Sequence, residues 1–398
     1  MVVVNTYKEN LARNPVLYYI VAFLVNLEFN LPIWVGFFSR YISFTQLAFL
    51  NAWDYLISLV LEVPTGALAD LIGRKKTIML GWLLIGIGNI CIAFMSDFSL
   101  FLILFTIRSL GSSLISGADS SIIYDSYKQL NREKEYAKYA SNLGLMRRIA
   151  LSIASFSGAT LYLIDYRLPY IFFGILQLLS LIFLSRLTEP DIKPKPFSVS
   201  NYLQQTKDGF KELFKTPVMK TVTFYYMLIG GIGWASVAYF NQPYAKDVGF
   251  SDTEMSLLFG SVYLISAIVI LTAVRMHKIF TRKTIYIGLP VIILLALLPG
   301  FLKIKLLAIP AVILSTIVAG MRFTFLDQYI NLEFNSQYRA TSMSSLNMLV
   351  SIFVALTIGI GGVFQDFFKT PVIITAFGFI ALLFILPLGI KLSRMHSE

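Results

Sequence analysis

Long apolar runs recur along this chain and constrain its fold more than any other feature. A helix that crosses a bilayer needs about 20 mostly apolar residues. Helices are the expected element, because an open strand would leave backbone hydrogen bonds unmade in lipid. The runs predict twelve transmembrane helices, near residues 15–38, 44–70, 76–96, 98–123, 140–163, 168–187, 218–244, 254–275, 283–301, 305–328, 341–364 and 371–391.

The composition agrees with a membrane protein. Hydrophobic residues make up 57% of the chain and charged residues 14%, whereas a soluble domain carries about 25% charged residues. Such a chain has too little polar surface to cover a particle in water. Its polar N-terminus predicts no secretory signal peptide, and Cys91, the single cysteine, excludes an internal disulfide.

Lysine and arginine are distributed unevenly between the two sets of segments that join the predicted spans. One set, which includes both termini, holds 25 of the 33 basic residues, and the other holds 6. Cytoplasmic loops carry the excess of basic residues in membrane proteins. We therefore expect a multi-pass protein of the bacterial inner (plasma) membrane with both termini in the cytoplasm. The net charge of +11 reflects this bias, and no nucleic-acid partner is expected.

A polar segment near the middle divides the chain into two halves. Residues 188–217 begin with several prolines and are predicted to form a cytoplasmic linker, whose later part is an amphipathic surface helix. The linker separates an N-terminal six-helix bundle, 1–187, from a C-terminal one, 218–398. Lys76–Gly81 (KTIMLG) and Lys283–Gly288 (KTIYIG) lie 207 residues apart, which suggests an internal repeat.

The loop after the second predicted span has a distinctive pattern, GALADLIGRK, from Gly66 to Lys75. Gly73 permits a tight turn, and Gly66 allows a neighbouring helix to approach closely. Arg74 and Lys75 are suited to lie among anionic headgroups. Asp70 can accept hydrogen bonds from a helix N-terminus or pair with Arg74.

This loop resembles the G-x-L-x-D-x-x-G-R-K signature of the major facilitator superfamily, and in particular of its bacterial drug-efflux-type members. Leu71 departs from the family pattern, which often has Arg there. The resemblance covers the whole chain in topology but only this loop closely. It implies an all-α membrane fold of twelve helices in two pseudo-symmetric halves that rock around a central cavity. It also implies that Asp70 holds the halves together on the cytoplasmic side in the outward-open state; the alternative is a loop that only anchors the topology.

Acidic and basic residues near the predicted cytoplasmic ends extend this loop into a gate network. Asp119 lies toward the cytoplasmic end of span four, Asp125 lies just beyond it, and Arg147 lies near the start of span five. The predicted conformational switch comprises Gly66, Asp70, Gly73, Arg74, Lys75, Asp119, Asp125 and Arg147.

Few charges lie inside the predicted spans, where each costs at least ~2.5–3.5 kcal/mol at the bilayer centre. Glu28 and Arg108 lie near mid-depth of spans one and four, and Asp54 lies in the outer half of span two. A carboxylate balanced between desolvation and an attractive Arg can take up and release a proton. We predict proton coupling by these three residues; the alternative is a static ion pair that locks helices together. The segment from Arg108 to Gly111 loosely resembles the R-x-x-x-G pattern of the family's fourth span.

Polar and aromatic residues in several spans are candidates for a solute site. Aromatic side chains can form the walls of a pocket in which amides orient the ligand, although the same residues also suit helix packing or the membrane interface. The predicted substrate-binding residues are Asn26, Asn30, Tyr225, Tyr226, Trp234, Asn241, Gln242, Arg322 and Asn347. The glycines at 230, 231 and 233 are expected to let span seven bend.

These features predict a secondary active transporter that works by alternating access, with small-molecule substrate, protons and lipid as partners. Proton-coupled export of a hydrophobic or amphipathic compound by antiport is the leading prediction, because the predicted cavity combines aromatics with few charges. Proton-coupled uptake of a polar nutrient or organic anion, bound by Arg108 and Arg322, is the alternative. Span five lacks the Gly-Pro-x-x-Gly-Gly stretch of drug/proton antiporters. A non-transporting receptor or membrane enzyme is the alternative of another class.

Several functions are not expected from the sequence. No Walker motif is present, which argues against ATP-driven transport. His277 and His396, the only histidines, fall in predicted cytoplasmic segments and indicate no histidine-based metal centre. We expect no enzyme activity, no cofactor and no metal, and a monomeric state.

Overall fold

The computed structural model describes residues 2–191, 199–276, 279–334 and 339–395. Every regular element within these ranges is helical. His277, His396 and part of the predicted linker lie outside them. The chain divides into a first unit, Met1–Tyr41 with Ile57–Ser198, and a second unit, Ile42–Leu56 with Val199–Glu398.

The first unit is built from helices that precede the linker. They are α1 (Val2–Val25), α2 (Trp34–Phe38), the later part of α3 (Phe44–Ile72), α4 (Arg74–Ile92), α5 (Phe98–Ile115), α6 (Ala118–Gln129), α7 (Glu133–Ile164) and α8 (Leu168–Leu184). A core of aliphatic and tyrosine side chains joins α1, α4, α6, α7 and α8.

The second unit contains the start of α3 and all later helices. They are α9 (Val199–Leu213), α10 (Pro217–Ala235), α11 (Asn241–Asp247), α12 (Asp252–Arg275), α13 (Arg282–Leu297), α14 (Lys305–Met321), α15 (Asp327–Glu333), α16 (Arg339–Gln365), α17 (Thr370–Ile380) and α18 (Leu386–Met395). Turns of π-helix at Ser236–Phe240, Arg322–Leu326 and Ala381–Ile385 connect α10 to α11, α14 to α15 and α17 to α18.

This division differs from the sequence prediction in two places. Ile42–Leu56, which falls in the predicted N-terminal bundle, packs with the second unit. Part of the predicted linker forms α9, which also belongs to the second unit and packs against α16. Hydrophobicity along the chain cannot reveal either assignment, because both depend on which helix face meets which neighbour.

Within the described ranges, nine helices are long and apolar enough to cross a membrane, and α8 is a shorter apolar helix. The predicted all-α membrane fold class is confirmed. The count of twelve spans stays a prediction.

Glycine pairs bring helices of the first unit into backbone contact. A Cβ on Gly81 of α4 would lie 2.6 Å from the Gly111 carbonyl oxygen of α5, and one on Gly174 of α8 would lie 2.6 Å from that of Gly86. Such small residues let membrane helices pack closely. The contact between α4 and α8 also holds a buried hydrogen bond of 2.7 Å from Asn89 to Gln177.

The first predicted span is interrupted. We expected a continuous helix over 15–38, but α1 ends at Val25 and α2 begins only at Trp34. Pro32 cannot donate a backbone hydrogen bond and disfavours a helix through the preceding turn. At the end of α1, the Asn26 amide donates to the Ala22 carbonyl (2.7 Å). A Cβ on Gly158 of α7 would overlap the Phe29 carbonyl oxygen, so this glycine lets α7 lie against the interruption.

The fourth predicted span also ends earlier than expected. Helix α5 stops at Ile115, and Gly117 adopts a φ of +77° before α6 begins. A positive φ is readily adopted only by glycine. Asp119 and Asp125 consequently lie on a separate short helix.

Candidate functional site

The interruption of the first span places Glu28 in the first unit opposite Arg108 of α5. The two side chains are within electrostatic range of each other, yet their charged atoms form no ion pair within 4.0 Å. Among the described residues, the Glu28 carboxylate makes no hydrogen bond, and the buried Arg108 Nε has no acceptor. The Arg108 guanidinium instead lies 5.1 Å from the Phe105 ring.

Two polar residues flank this pair of charges. Asn30 lies in the interruption and is 8% exposed, and its Oδ1 accepts no hydrogen bond from the described part of the chain. Its amide faces the hydroxyl of Tyr170, which is buried on α8. Glu28 itself is only partly buried. The first unit therefore holds a carboxylate and a guanidinium whose hydrogen-bonding capacity is largely unused by the described residues.

Asp54, predicted to act with Glu28 and Arg108, belongs to the second unit. Its neighbour Tyr55 accepts a hydrogen bond of 2.6 Å from Trp234 Nε1 of α10. This bond fixes the indole of a predicted substrate-binding residue.

Arg322, at the start of a π-helical turn, is the centre of a polar cluster in the second unit. It is 4% exposed. Its Nη2 donates to the Tyr226 hydroxyl (2.9 Å) and to Asn347 Oδ1 (3.1 Å). The Tyr226 hydroxyl in turn lies 2.6 Å from Asp327 Oδ1, to which it can donate. Three predicted substrate-binding residues, Tyr226, Arg322 and Asn347, thus meet at one place.

Aromatic rings pack against the same guanidinium. Its carbon lies 4.5 Å from the centroid of the Tyr226 ring and 4.6 Å from that of Phe323. Trp234 meets Phe323 edge to face at 5.8 Å. A Cβ on Gly230 would lie 2.9 Å from Arg322 Nε. Helix α10 is continuous through this glycine, and its lack of a side chain makes room for the arginine. Its predicted role in bending the helix stays a prediction.

The other predicted substrate-binding residues lie elsewhere. The Tyr225 hydroxyl donates to the Tyr286 carbonyl of α13 (3.0 Å). Asn241 of α11 donates to Ser315 of α14 (3.1 Å). Gln242 is buried on α11, and the Asn26 amide bonds its own helix. Tyr225 and Asn241 therefore join helices, and within the described residues neither side chain hydrogen-bonds to Arg322, Tyr226 or Asn347.

The residues of the predicted switch form two ion pairs. Arg74, at the start of α4, pairs with Asp125 of α6. Arg147 of α7 pairs with Asp119 at 3.4 Å. Gly73 has a φ of +89°. The side chain of Asp70 lies outside the described part of the chain. Where a Cβ of Gly66 would be, no atom of the described residues lies within 4 Å, and the close approach of another helix there stays a prediction.

Sequence reasoning missed Glu189, which follows α8. Its Oε1 and Oε2 accept hydrogen bonds from the backbone N–H groups of Arg74 and Lys75, both 2.8 Å long. The Lys75 ammonium donates to the Ser185 carbonyl (2.6 Å). These bonds join the signature loop to the end of α8. A residue more than a hundred positions away carries no local signal of such a contact.

An apolar pocket of about 500 Å³ lies among α10, α16 and α17 of the second unit. Phe353, Phe364 and Phe377 are among its lining residues, and none of the predicted site residues is. Its position among exposed apolar side chains matches a lipid-facing surface.

Comparison with known proteins identifies the family. The Major Facilitator Superfamily sequence profile matches residues 16–357. YxaM of Bacillus subtilis, an uncharacterised transporter of the same type, is 22% identical over 324 residues, which cover 79% of each chain. YwoD, another such protein of that bacterium, is 31% identical over 115 residues, or 29% of this chain and 24% of YwoD.

Solved structures share the fold at low sequence identity. The nucleoside transporter NupG has a TM-score of 0.74 and 14% identity over 98% of this chain and 99% of NupG. A D-xylose–proton symporter has a TM-score of 0.69 and 12% identity over 94% of this chain and 98% of the symporter. With helices of membrane-spanning length and a matching profile over most of its length, the chain belongs to the Major Facilitator Superfamily: it is a multi-pass membrane transporter of the secondary type and not an enzyme.

Proposed function

We propose that this transporter couples the movement of a small solute to protons through Glu28. The observation that supports the proposal is the placement of Glu28 and Arg108 at the interruption of the first span, within electrostatic range but without an ion pair. Interrupted helices form ion and substrate sites in many secondary transporters. A carboxylate there, without a fixed partner, can exchange a proton.

Coupling requires that Glu28 bind its proton differently in the two access states, because a group with equal affinity in both shifts no equilibrium. Arg108 supplies the difference in this proposal. It stabilises the ionised acid when it approaches and favours the protonated acid when it withdraws.

For the solute, we propose a polar small molecule rather than the hydrophobic compound favoured by the sequence. The Arg322 cluster supports this choice, because it offers hydrogen bonds and charge as well as aromatic surface. The nucleoside transporter and the D-xylose–proton symporter that share the fold are named for polar solutes. Uptake therefore replaces export as the leading direction in our proposal. We also propose a monomer in a bacterial plasma membrane with both termini in the cytoplasm, on the basis of the charge bias.

Proteoliposomes that contain a pH-sensitive dye test the proposal. The wild-type protein should move protons inward when at least one of three solutes is added outside the vesicles. The solutes, added separately, are uridine, D-xylose and benzoate. Glu28→Gln should abolish this proton movement but leave solute exchange without a gradient. Glu133→Gln, which changes an exposed carboxylate at the start of α7 and outside the predicted spans, is the matched control and should behave like the wild type.

Thermal unfolding of the same variants separates coupling from a structural role. If Glu28 only balances the charge of Arg108, its replacement leaves a buried charge uncompensated and lowers stability. Normal proton movement in Glu28→Gln would refute the proposal, and a joint loss of flux and stability would support the static ion pair. A folded wild-type protein that binds a solute but moves none would support the receptor alternative, whereas outward transport of hydrophobic compounds would restore export.

A further inference from the structure

We propose that the second unit binds the carboxylate of an aromatic organic acid at Arg322, and that this binding requires a proton on Asp327. The inference deepens the proposed function by naming the solute class. It rests on small-solute transport but not on Glu28, since the test measures binding without a gradient.

The first step is the unused hydrogen-bonding capacity of Arg322. Only Nη2 of its guanidinium donates hydrogen bonds to the described residues, to Tyr226 and Asn347. No carboxylate of the described ranges lies within 4.0 Å of it. A buried guanidinium without an ion pair is costly. Nε is itself buried and lacks an acceptor among the described residues, so Nη1 is the group that remains able to donate to an incoming anion.

The second step is the shape of the surroundings. The Tyr226 and Phe323 rings stack against the guanidinium at 4.5 and 4.6 Å. Such packing leaves the edge of the group for hydrogen bonds, and a carboxylate binds arginine in this planar way. Asn347 and Phe323 are exposed, so the cluster is accessible from their side. On another side, Gly230 of α10 packs closely against Arg322 Nε.

The third step is the aromatic character of the open side. Trp234 packs edge to face on Phe323, and its Nε1 is satisfied by Tyr55. The two side chains present ring surface next to the guanidinium, and aromatic rings favour offset or edge-to-face partners. An acid with an aromatic body therefore suits the site better than acetate.

The fourth step is charge balance. Asp327 compensates Arg322 at a distance, through the Tyr226 hydroxyl that contacts both. Tyr226 from α10 and Arg322 from the π-helical turn are the titratable or charged groups that face Asp327 within the described residues, and α16 contributes the neutral Asn347. A bound carboxylate adds a second negative charge, which is unfavourable in a poorly solvated site. Protonation of Asp327 removes that charge, so anion and proton bind together.

Calorimetric titration of the purified full-length protein in nanodiscs tests the inference, with benzoate as the probe and benzamide as its neutral counterpart. Benzoate should bind and benzamide should not. Titrations in buffers of different ionisation enthalpy should show uptake of about one proton per benzoate, with affinity falling about tenfold per unit of pH above the range in which Asp327 is protonated.

Variants assign the roles. Arg322→Gln should weaken benzoate binding at least about tenfold, the loss expected for one charge-assisted contact. Asp327→Asn should bind benzoate without proton uptake, and Tyr226→Phe, which keeps the ring, should weaken the link between the two events. Arg282→Gln removes another arginine of this unit, paired with Glu333 at 2.8 Å, and should leave benzoate binding unchanged.

Several results would overturn the inference. They are equal benzoate affinity in Arg322→Gln, equal binding of benzamide, binding by the wild type without proton uptake, or no benzoate binding by folded wild-type protein. If Arg322→Gln does not fold, unaltered proton uptake in Asp327→Asn would still refute the role of Asp327. These outcomes are measured by binding without a proton gradient. They can therefore be interpreted even if Glu28→Gln shows normal proton movement in the flux assay.

Discussion

Glu189 provides the sharpest test of how the signature loop is held, because its carboxylate caps the N-terminus of α4 from a distant part of the chain. The N-cap residue of this helix, Gly73, offers no side-chain acceptor. Two of the N–H groups that every helix leaves unpaired at its start are satisfied by Glu189, each at 2.8 Å. Replacement by alanine returns both groups to water.

The magnitude follows from these two bonds and from the exposure of Glu189. Loss of a side-chain N-cap costs about 0.5–2 kcal/mol, and the favourable charge at a helix N-terminus contributes about 0.3–1 kcal/mol at exposed sites. Because solvent screens this carboxylate, we expect about 1–2 kcal/mol in total, which corresponds to a roughly 5- to 30-fold change in a local equilibrium.

Hydrogen exchange of the purified protein, resolved to the first turns of α4, measures the effect. Glu189→Ala should raise the exchange rate of the amides near Thr77 by that factor while those of α5 change little. Glu135→Gln is the control. The pKa of Glu135 lies below its ordinary value because it accepts hydrogen bonds from the Arg132 side chain, not from a helix N-terminus, so its loss should leave α4 unaffected. Exchange in α4 that stays at the wild-type rate in Glu189→Ala would refute the capping role.

Three further predictions concern packing, the switch and orientation. Gly111→Val should lower thermal stability and yield by an overpacking cost of about 1–3 kcal/mol, because its Cβ would lie 2.7 Å from the Gly81 carbonyl oxygen. The control Gly288→Ala, at a position where the described residues leave open space, should fold normally. A normal melting temperature for Gly111→Val would contradict the backbone contact. Asp70→Asn should reduce solute flux while the yield of folded protein stays similar, and full activity would leave the loop as a topology anchor. A reporter fused after Glu398 should be active only in the cytoplasm, and activity on the outer side would reverse the proposed orientation.

Individual residues show what sequence could anticipate about the candidate site. A charge in an apolar run is costly, so Glu28, Arg108 and Arg322 could be selected from sequence as residues that need a partner or a polar surrounding. The partners could not be identified in the same way. Asp327, which the Tyr226 hydroxyl links to Arg322, lies at the end of the predicted span 305–328, and no local pattern pairs it with Arg322.

Tyr225 and Tyr226 show which part of the site the sequence could not predict. Successive residues of an α-helix point about 100° apart, since the helix has 3.6 residues per turn. One tyrosine therefore meets Arg322 and the other the backbone of α13. The rotation of α10 about its axis decides which tyrosine faces Arg322 and which faces α13. That rotation is fixed by packing against α13, α14 and α16.

The sequence by itself determined that this protein lies in a membrane, that its secondary structure is helical and to which family it belongs. Those properties follow from local quantities: the length of apolar runs, the cost of unpaired backbone groups in lipid and a ten-residue loop pattern from Gly66 to Lys75. The tertiary structure decided where the first span breaks, which half the segment Ile42–Leu56 joins and which carboxylate caps α4. Each of these depends on contacts between residues far apart in the chain, such as Gly158 against Phe29 and Glu189 against Arg74, and such contacts exist only once the helices have packed.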